Sequence, residues 1–128
     1  FLAGQVLTVS RPDGRTDPIF HARERIQRDY AQPLRLEELA EQAGVSVGHF
    51  CRQFKKLHGL APMQYQLRCR LTAAANLLRL TDLPCKEIAR RAGFGDVYYL
   101  SRCFRQAFGT TPTAYRRNNV HCDLGQIG

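Results

Sequence analysis

From residue 18 onward the apolar positions recur at helical spacing. Pro18 suits a first helical turn and Asp17 is a natural N-cap. Ile19, Phe20, Ala22, Ile26 and Tyr30 form one stripe of a helix predicted to run to Ala31. Pro33, which lacks an N–H, ends it. Two short helices are predicted next, about 36–43 and about 47–57. Gly44 closes the first in a left-handed turn and Ser46 caps the second. Phe50, Phe54 and Leu57 are expected to face inward, and Gly59 ends the helix. A longer helix follows over Pro62–Leu80, with Leu67, Leu71, Ala74 and Leu78 along one face.

The pattern then repeats. Glu38-Leu39-Ala40-x-x-Ala43-Gly44 recurs 49 residues later as Glu87-Ile88-Ala89-x-x-Ala92-Gly93. After a one-residue insertion the offset is 50, and Phe50-x-Arg52-x-Phe54 matches Leu100-x-Arg102-x-Phe104. Gly59, Pro62 and Tyr65 likewise match Gly109, Pro112 and Tyr115. The second unit therefore predicts helices at about 85–92 and about 97–107. Gly93 ends the first and Asp96 caps the second, and Leu100, Phe104 and Ala107 face inward. Two helices joined by a tight glycine-containing turn form a helix-turn-helix. The intervening helix, roughly 27 Å long, can act as a rigid spacer. That length is comparable to the roughly 34 Å that separates recognition helices on successive turns of B-DNA.

Charge narrows the partner. The chain has 128 residues and a net charge of +8, which suits a polyanion, nucleic acid ahead of an anionic membrane surface. Residues 67–128 carry ten basic and four acidic side chains, so most of the excess lies in the second half. Hydrophobic residues make up 44%, which excludes a disordered chain. No run approaches the roughly 18 apolar residues of a spanning helix. Phe1–Val9 is apolar but short and has no basic leader, so it is not read as a signal peptide; it is either the last strand of a removed domain or a tail. Arg11–Pro18 is turn-rich and reads as a linker. The start at Phe1 leads us to expect a fragment or a processed product. The five cysteines, at 51, 69, 85, 103 and 122, form no C-x-x-C pair and match no common zinc frame. They are expected to be reduced thiols of a cytosolic protein.

On these residues the chain resembles the DNA-binding domain of AraC/XylS-type bacterial transcription regulators. The carriers are Leu36-Glu-Glu-Leu-Ala-Glu-Gln-Ala-Gly-Val-Ser46, Arg52-Gln-Phe-Lys-Lys56 and Gly59-x-x-Pro62-x-x-Tyr65. Glu87-Ile-Ala-x-x-Ala-Gly-Phe94, Tyr99-Leu-Ser-Arg102-x-Phe104 and Gly109-x-x-Pro112-x-x-Tyr115-Arg116 carry it in the second half. The resemblance covers about 18–117. It leaves 1–17 as a linker or remnant of a preceding domain and 118–128 as a tail. It implies an all-α, homeodomain-like tandem helix-turn-helix: two three-helix subdomains joined by a long linker helix. It further implies two helices inserted into adjacent major grooves, control of transcription, and a place at the C-terminus of a longer protein. In that protein a missing N-terminal domain would bind an effector or dimerise.

The second helix of each unit would lie in the groove, its N-terminal residues at the base edges. With the apolar stripe facing in, the outward positions are Val47, Gly48, Cys51, Arg52 and Lys55, then Val97, Tyr98, Ser101, Arg102 and Arg105. Arg52 and Arg102 are the foremost base readers, because arginine donates two parallel hydrogen bonds to guanine O6 and N7. Cys51 either meets a thymine methyl or is simply tolerated at the surface. Val97 can offer only an apolar contact, and Ser101 is a further base-contact candidate. Tyr98 is a base-contact candidate whose alternatives are stacking on sugar or bonding a phosphate, whereas Tyr99 is expected to pack on the neighbouring helix. His49 either packs or reaches a phosphate. Lys55, Lys56, Arg105, Arg116 and Arg117 are phosphate-contact candidates, with a solvated surface charge as the plainer alternative. Arg68, Thr72 and Arg79 share an outward face of the linker helix, where a plain polar face competes with a backbone contact. Gly48 contributes no side chain, so the first unit is expected to read fewer bases.

An enzyme is not expected. His21, His49, His58 and His121 are scattered, and no nucleophile–base arrangement or Walker-type phosphate loop stands out. No cofactor or metal is expected; adjacent His121 and Cys122 are a poor ligand pair. A rival reading is a protein-interaction module that contacts RNA polymerase or a partner domain through Glu37, Glu38 and Glu41. A solvated face that suits a helix N-terminus explains those three equally.

Overall fold

The computed structural model describes residues 18–118. Asp17, Phe1–Val9, most of the linker, His121 and Cys122 lie outside the described residues. Among the described residues there are helices and no strands. In chain order the helices are α1 (Pro18–Arg28), α2 (Leu36–Ala43), α3 (Val47–His58), α4 (Pro62–Leu80), α5 (Cys85–Ala92) and α6 (Val97–Phe108). Residues 112–118 are also helical. No helix among them is long and apolar enough to cross a membrane. The described residues divide into two compact units, 18–30 with 34–66, and 31–33 with 67–118.

The first unit is built around Ile19, Ala22 and Ile26 of α1, Leu39 and Ala40 of α2, and Phe50 and Phe54 of α3, all buried. Their spacing is the helical stripe that hydrophobic burial selects. At the end of α3, Phe54 meets the rings of His58 at 4.5 Å and Tyr65 at 5.9 Å. Pro62 is fully buried and starts the helix that carries Tyr65 inward, while the Tyr65 hydroxyl accepts a hydrogen bond from Gln27.

The second unit repeats the plan with Ile88, Ala89 and Ala92 of α5 and Leu100, Cys103 and Phe104 of α6. Phe104 stacks on Phe108 at 4.3 Å and meets Tyr115 edge-on at 5.1 Å, the counterpart of the Phe54–His58–Tyr65 cluster. Helix α4 is more than a spacer here. Leu71, Ala74, Ala75 and Leu78 are buried in this unit's core. Its C-terminal carbonyls are satisfied from outside the helix. The Thr81 hydroxyl donates to Leu77 O at 2.6 Å. The Arg116 guanidinium donates to Leu78 O at 3.1 Å and Thr81 O at 3.0 Å.

Three expectations are corrected. Helix α1 ends at Arg28, not Ala31. Pro33 cannot supply the N–H that a continued helix would need, and the carbonyls beyond Arg28 find other donors. Gln66 Nε2 donates to Tyr30 O at 3.3 Å in the first unit, and Arg70 Nη2 donates to Gln32 O at 3.2 Å in the second. Leu57 is 43% exposed, not buried, and Ala107 is exposed too. Both lie in the last turn of a 12-residue helix whose inward face is already taken by Phe50 with Phe54 or Leu100 with Phe104.

Gly44 and Gly93 close the leading helices at φ 75° and 93°, as the left-handed turn requires. Their surroundings differ. A Cβ at Gly44 would meet open space, whereas one at Gly93 would lie 2.6 Å from the Ala31 Cα and 2.8 Å from its carbonyl oxygen. Gly44→Ala should cost about 1 kcal/mol, the left-handed strain alone. Gly93→Ala should cost about 3 kcal/mol or more, because a backbone must also move. Urea unfolding of the two variants checks this; equal losses would show that Ala31 yields freely.

Candidate nucleic-acid interface

The burial of Phe50 and Phe54 decides what the rest of α3 presents. Each is fully buried, so the opposite face of the helix is fixed toward solvent. Ser46 Oγ accepts from the His49 backbone N–H at 3.2 Å and starts the helix. Gly48, His49, Arg52, Lys55 and Lys56 are exposed, and Val47 is 37% exposed. The packing reading of His49 is thereby overturned, since its side chain lies outside the core. Cys51 is half-buried and lies against the core edge, and only its outer part remains accessible.

Helix α6 is started by Asp96, whose Oδ1 accepts from the Tyr99 N–H at 2.8 Å. Leu100 and Phe104 are fully buried, which turns Tyr98, Arg102 and Arg105 outward. Tyr98 is 82% exposed. Val97 and Ser101 are half-buried beside it. An open groove of about 540 Å³ runs along this face, lined by Tyr98, Ser101, Arg102, Arg105, Gln106 and Thr111. It holds two guanidinium groups and no carboxylate. Gln106 and Thr111 were not singled out from the sequence. Gln106 follows from Arg102 by one helical turn, but Thr111 arrives only because the chain folds back after Gly109.

The half-buried Tyr99 ring packs edge-on against Phe94 at 5.6 Å, and the Arg102 Cζ lies 5.5 Å from its centroid. That contact holds the guanidinium against a fixed surface. A hydrogen bond with Cys103 raises the pKa of the Tyr99 hydroxyl above its ordinary value.

Other cations are already engaged. Two of the Arg116 N–H groups go to the carbonyls that end α4, so its guanidinium is held as a helix cap. Arg117 is exposed. On α5, Glu87 accepts from Arg90 Nε at 3.2 Å and from Arg91 Nε at 2.8 Å. The hydrogen bonds from Arg90, then Arg91, pull the Glu87 carboxyl down to about 2. Arg68, Thr72 and Arg79 are exposed on α4, with Arg79 Nη2 donating to Asn76 Oδ1 at 2.7 Å.

Residues 39–118 match the family model described as a helix-turn-helix domain. A probable AraC family transcriptional regulator from Rhodopseudomonas palustris superposes with TM-score 0.71 at 25% identity, over 81% of this chain and 98% of that one. The chain belongs to the AraC/XylS family. A second neighbour is the DNA-binding domain of AdpA, a global transcriptional factor, solved in complex with a target DNA. It has TM-score 0.76 and 32% identity over 80% of this chain and 93% of that one. Among curated relatives, the transcriptional activator RhaS of Salmonella schwarzengrund is 38% identical over 92 residues, 72% of this chain and 33% of RhaS. The chain thus spans about a third of the length of the curated relatives it matches.

Two expected outcomes follow from the engaged cations. Arg116→Ala should lower unfolding stability by about 1–2 kcal/mol through the two orphaned carbonyls, and Arg117→Ala by less than about 0.5 kcal/mol; urea titration reads both. Glu87 should titrate near 2, against an ordinary 4.5. Because its folded value is depressed, its contribution to stability is complete above 4.5 and is lost as pH falls through about 2. Carboxyl carbon shifts would locate the midpoint, and Glu87→Gln should remove that limb of the acid unfolding curve.

Proposed function

We propose that this chain is a sequence-specific double-stranded DNA-binding domain of a bacterial transcription regulator. The observation that carries the reading is the outward face of α6. A capped, buried-stripe helix presents Tyr98, Arg102 and Arg105 in a groove free of carboxylates. Helix α3 presents Arg52 and Lys55 at the positions matching Arg102 and Arg105, with Lys56 exposed beside them. The similarity to a domain solved on its target DNA supports the same use.

In this reading α3 and α6 each enter a major groove, the two grooves being adjacent on one site. Arg52 and Arg102 read guanines by paired hydrogen bonds. Tyr98, Ser101, Val97 and the accessible part of Cys51 supply the remaining base-edge contacts. Lys55, Lys56, Arg105, Arg117 and the exposed His49 hold phosphates, positioning the helices without reading sequence. Arg116 drops from the phosphate set, since its donors serve α4. A regulator of this kind acts at the nucleoid in the cytoplasm, and its effector would bind a domain beyond this chain.

The interaction-module reading gains nothing comparable. Glu38 and Glu37 lie 3.9 Å from Arg25 and Arg35 respectively, so the acidic face of α2 is largely compensated. A contact with RNA polymerase would be an addition to DNA binding and not a substitute for it.

Selection from a randomised duplex library, followed by titration of the enriched site, tests the proposal. Two enriched blocks are expected, and affinity should fall linearly on a log–log plot against salt. Arg102→Ala should cost about 1–3 kcal/mol and relax one block, whereas Arg105→Ala should weaken all sites alike and lower the salt slope by about 1. Affinity that is flat with salt, or an Arg102→Ala variant with unaltered preference, would overturn it.

A further inference from the structure

Gly48 is the second residue of α3, and its presence there needs a reason. Glycine is a poor helix former, and Gly48 is absent from the residues with positive φ, so its special conformational freedom is not used. What occupies the missing side chain's place is Arg52. A methyl group added at Gly48 would stand 3.3 Å from Arg52 Nη1, closer than an ordinary van der Waals contact. Side chains of a helix lean toward its N-terminus, and positions four apart share a face. The guanidinium therefore lies back over the bare turn at Gly48.

The second unit is arranged otherwise. At the repeat offset of 50, Gly48 corresponds to Tyr98, which is exposed, and Arg102 rests against the Tyr99 ring at 5.5 Å. The two arginines match in sequence but have different seats.

We propose that Gly48 is a specificity-determining positioning residue. By leaving the first turn of α3 bare, it seats the Arg52 guanidinium close to the helix and so sets which base edge the first unit's arginine reaches. This rests on the reading of Arg52 as a base reader. A side chain at 48 displaces the guanidinium outward by a few tenths of an ångström for a methyl group and by more for a longer group. Paired hydrogen bonds to a base tolerate little such movement, because both distances and both angles must hold at once.

The test is a double-mutant cycle on the whole chain, read by duplex-library selection and by titration of the selected site. Gly48→Ala should reduce discrimination at the Arg52-dependent base pair by about threefold, and Gly48→Leu by about tenfold. Preference in the other block should be unchanged. Both effects should vanish in an Arg52→Ala background. Thermal melting guards against misfolding, since Gly48→Ala should raise the melting temperature through better helix propensity. If Arg52→Ala relaxes the first block but neither Gly48 variant does, the positioning role is wrong and the base-reading role stands. Gly48 effects of equal size in both backgrounds also overturn the proposal, because the new side chain would then be touching DNA itself. If Arg52→Ala leaves the first block intact, the base-reading role fails and takes the positioning role with it.

Discussion

Burial of two side chains four residues apart on each second helix, Phe50 with Phe54 and Leu100 with Phe104, orients everything functional in this protein. A helix pinned at i and i+4 cannot rotate about its axis without exposing aromatic surface to water, at about 25 cal/mol for each Å². The opposite face is thereby fixed. Arg52 and Arg102, two residues beyond Phe50 and Leu100, are pointed outward by packing they take no part in. The aromatic clusters at the helix ends, Phe54 with His58 and Tyr65 and Phe104 with Phe108 and Tyr115, extend the same anchorage. They also explain why each unit needs the Gly-x-x-Pro-x-x-Tyr ending. The glycine stops the helix, the proline starts the next, and the tyrosine returns to the ring it must cover.

The backbone is held as firmly as the core. Each leading helix closes on a left-handed glycine, and each second helix opens on a side-chain oxygen that accepts an N–H three residues on. The second unit adds closer constraints. Gly93 sits against the Ala31 backbone, and Arg116 ends α4. An arginine that looks like a surface cation is thus held by carbonyls, whereas Arg102 and Arg105 remain on the groove.

Charge is sorted in the same way. Glu87 takes up Arg90 and Arg91, and Glu38 and Glu37 of α2 stand near Arg25 and Arg35. The net charge of +8 therefore overstates how evenly positive potential is offered. The uncompensated cations that line the second unit's groove are those of α6. Long-range attraction to a polyanion comes from the total, but recognition needs guanidinium groups that are both outward and seated.

Periodicity alone was enough for the helices, the glycine turns, the caps at Ser46 and Asp96, and the tandem repeat. These are local properties: each depends on residues within a few positions, whose backbone preferences and burial act together. The outward register of Arg52 and Arg102 was legible for the same reason, because the apolar stripe leaves one face of a helix over. The end of α1 was not legible, since it depends on Gln66 and Arg70 donating to carbonyls some 36 and 38 residues away. Nor were the exposure of Leu57 and His49, the capping role of Arg116, or the entry of Thr111 into the groove. Each of these turns on where one helix ends relative to another, a distance that no local pattern encodes. Only tertiary packing decided which arginines are held by carbonyls and carboxylates and which stand seated at the surface, because that choice rests on which partners the fold brings within hydrogen-bonding reach.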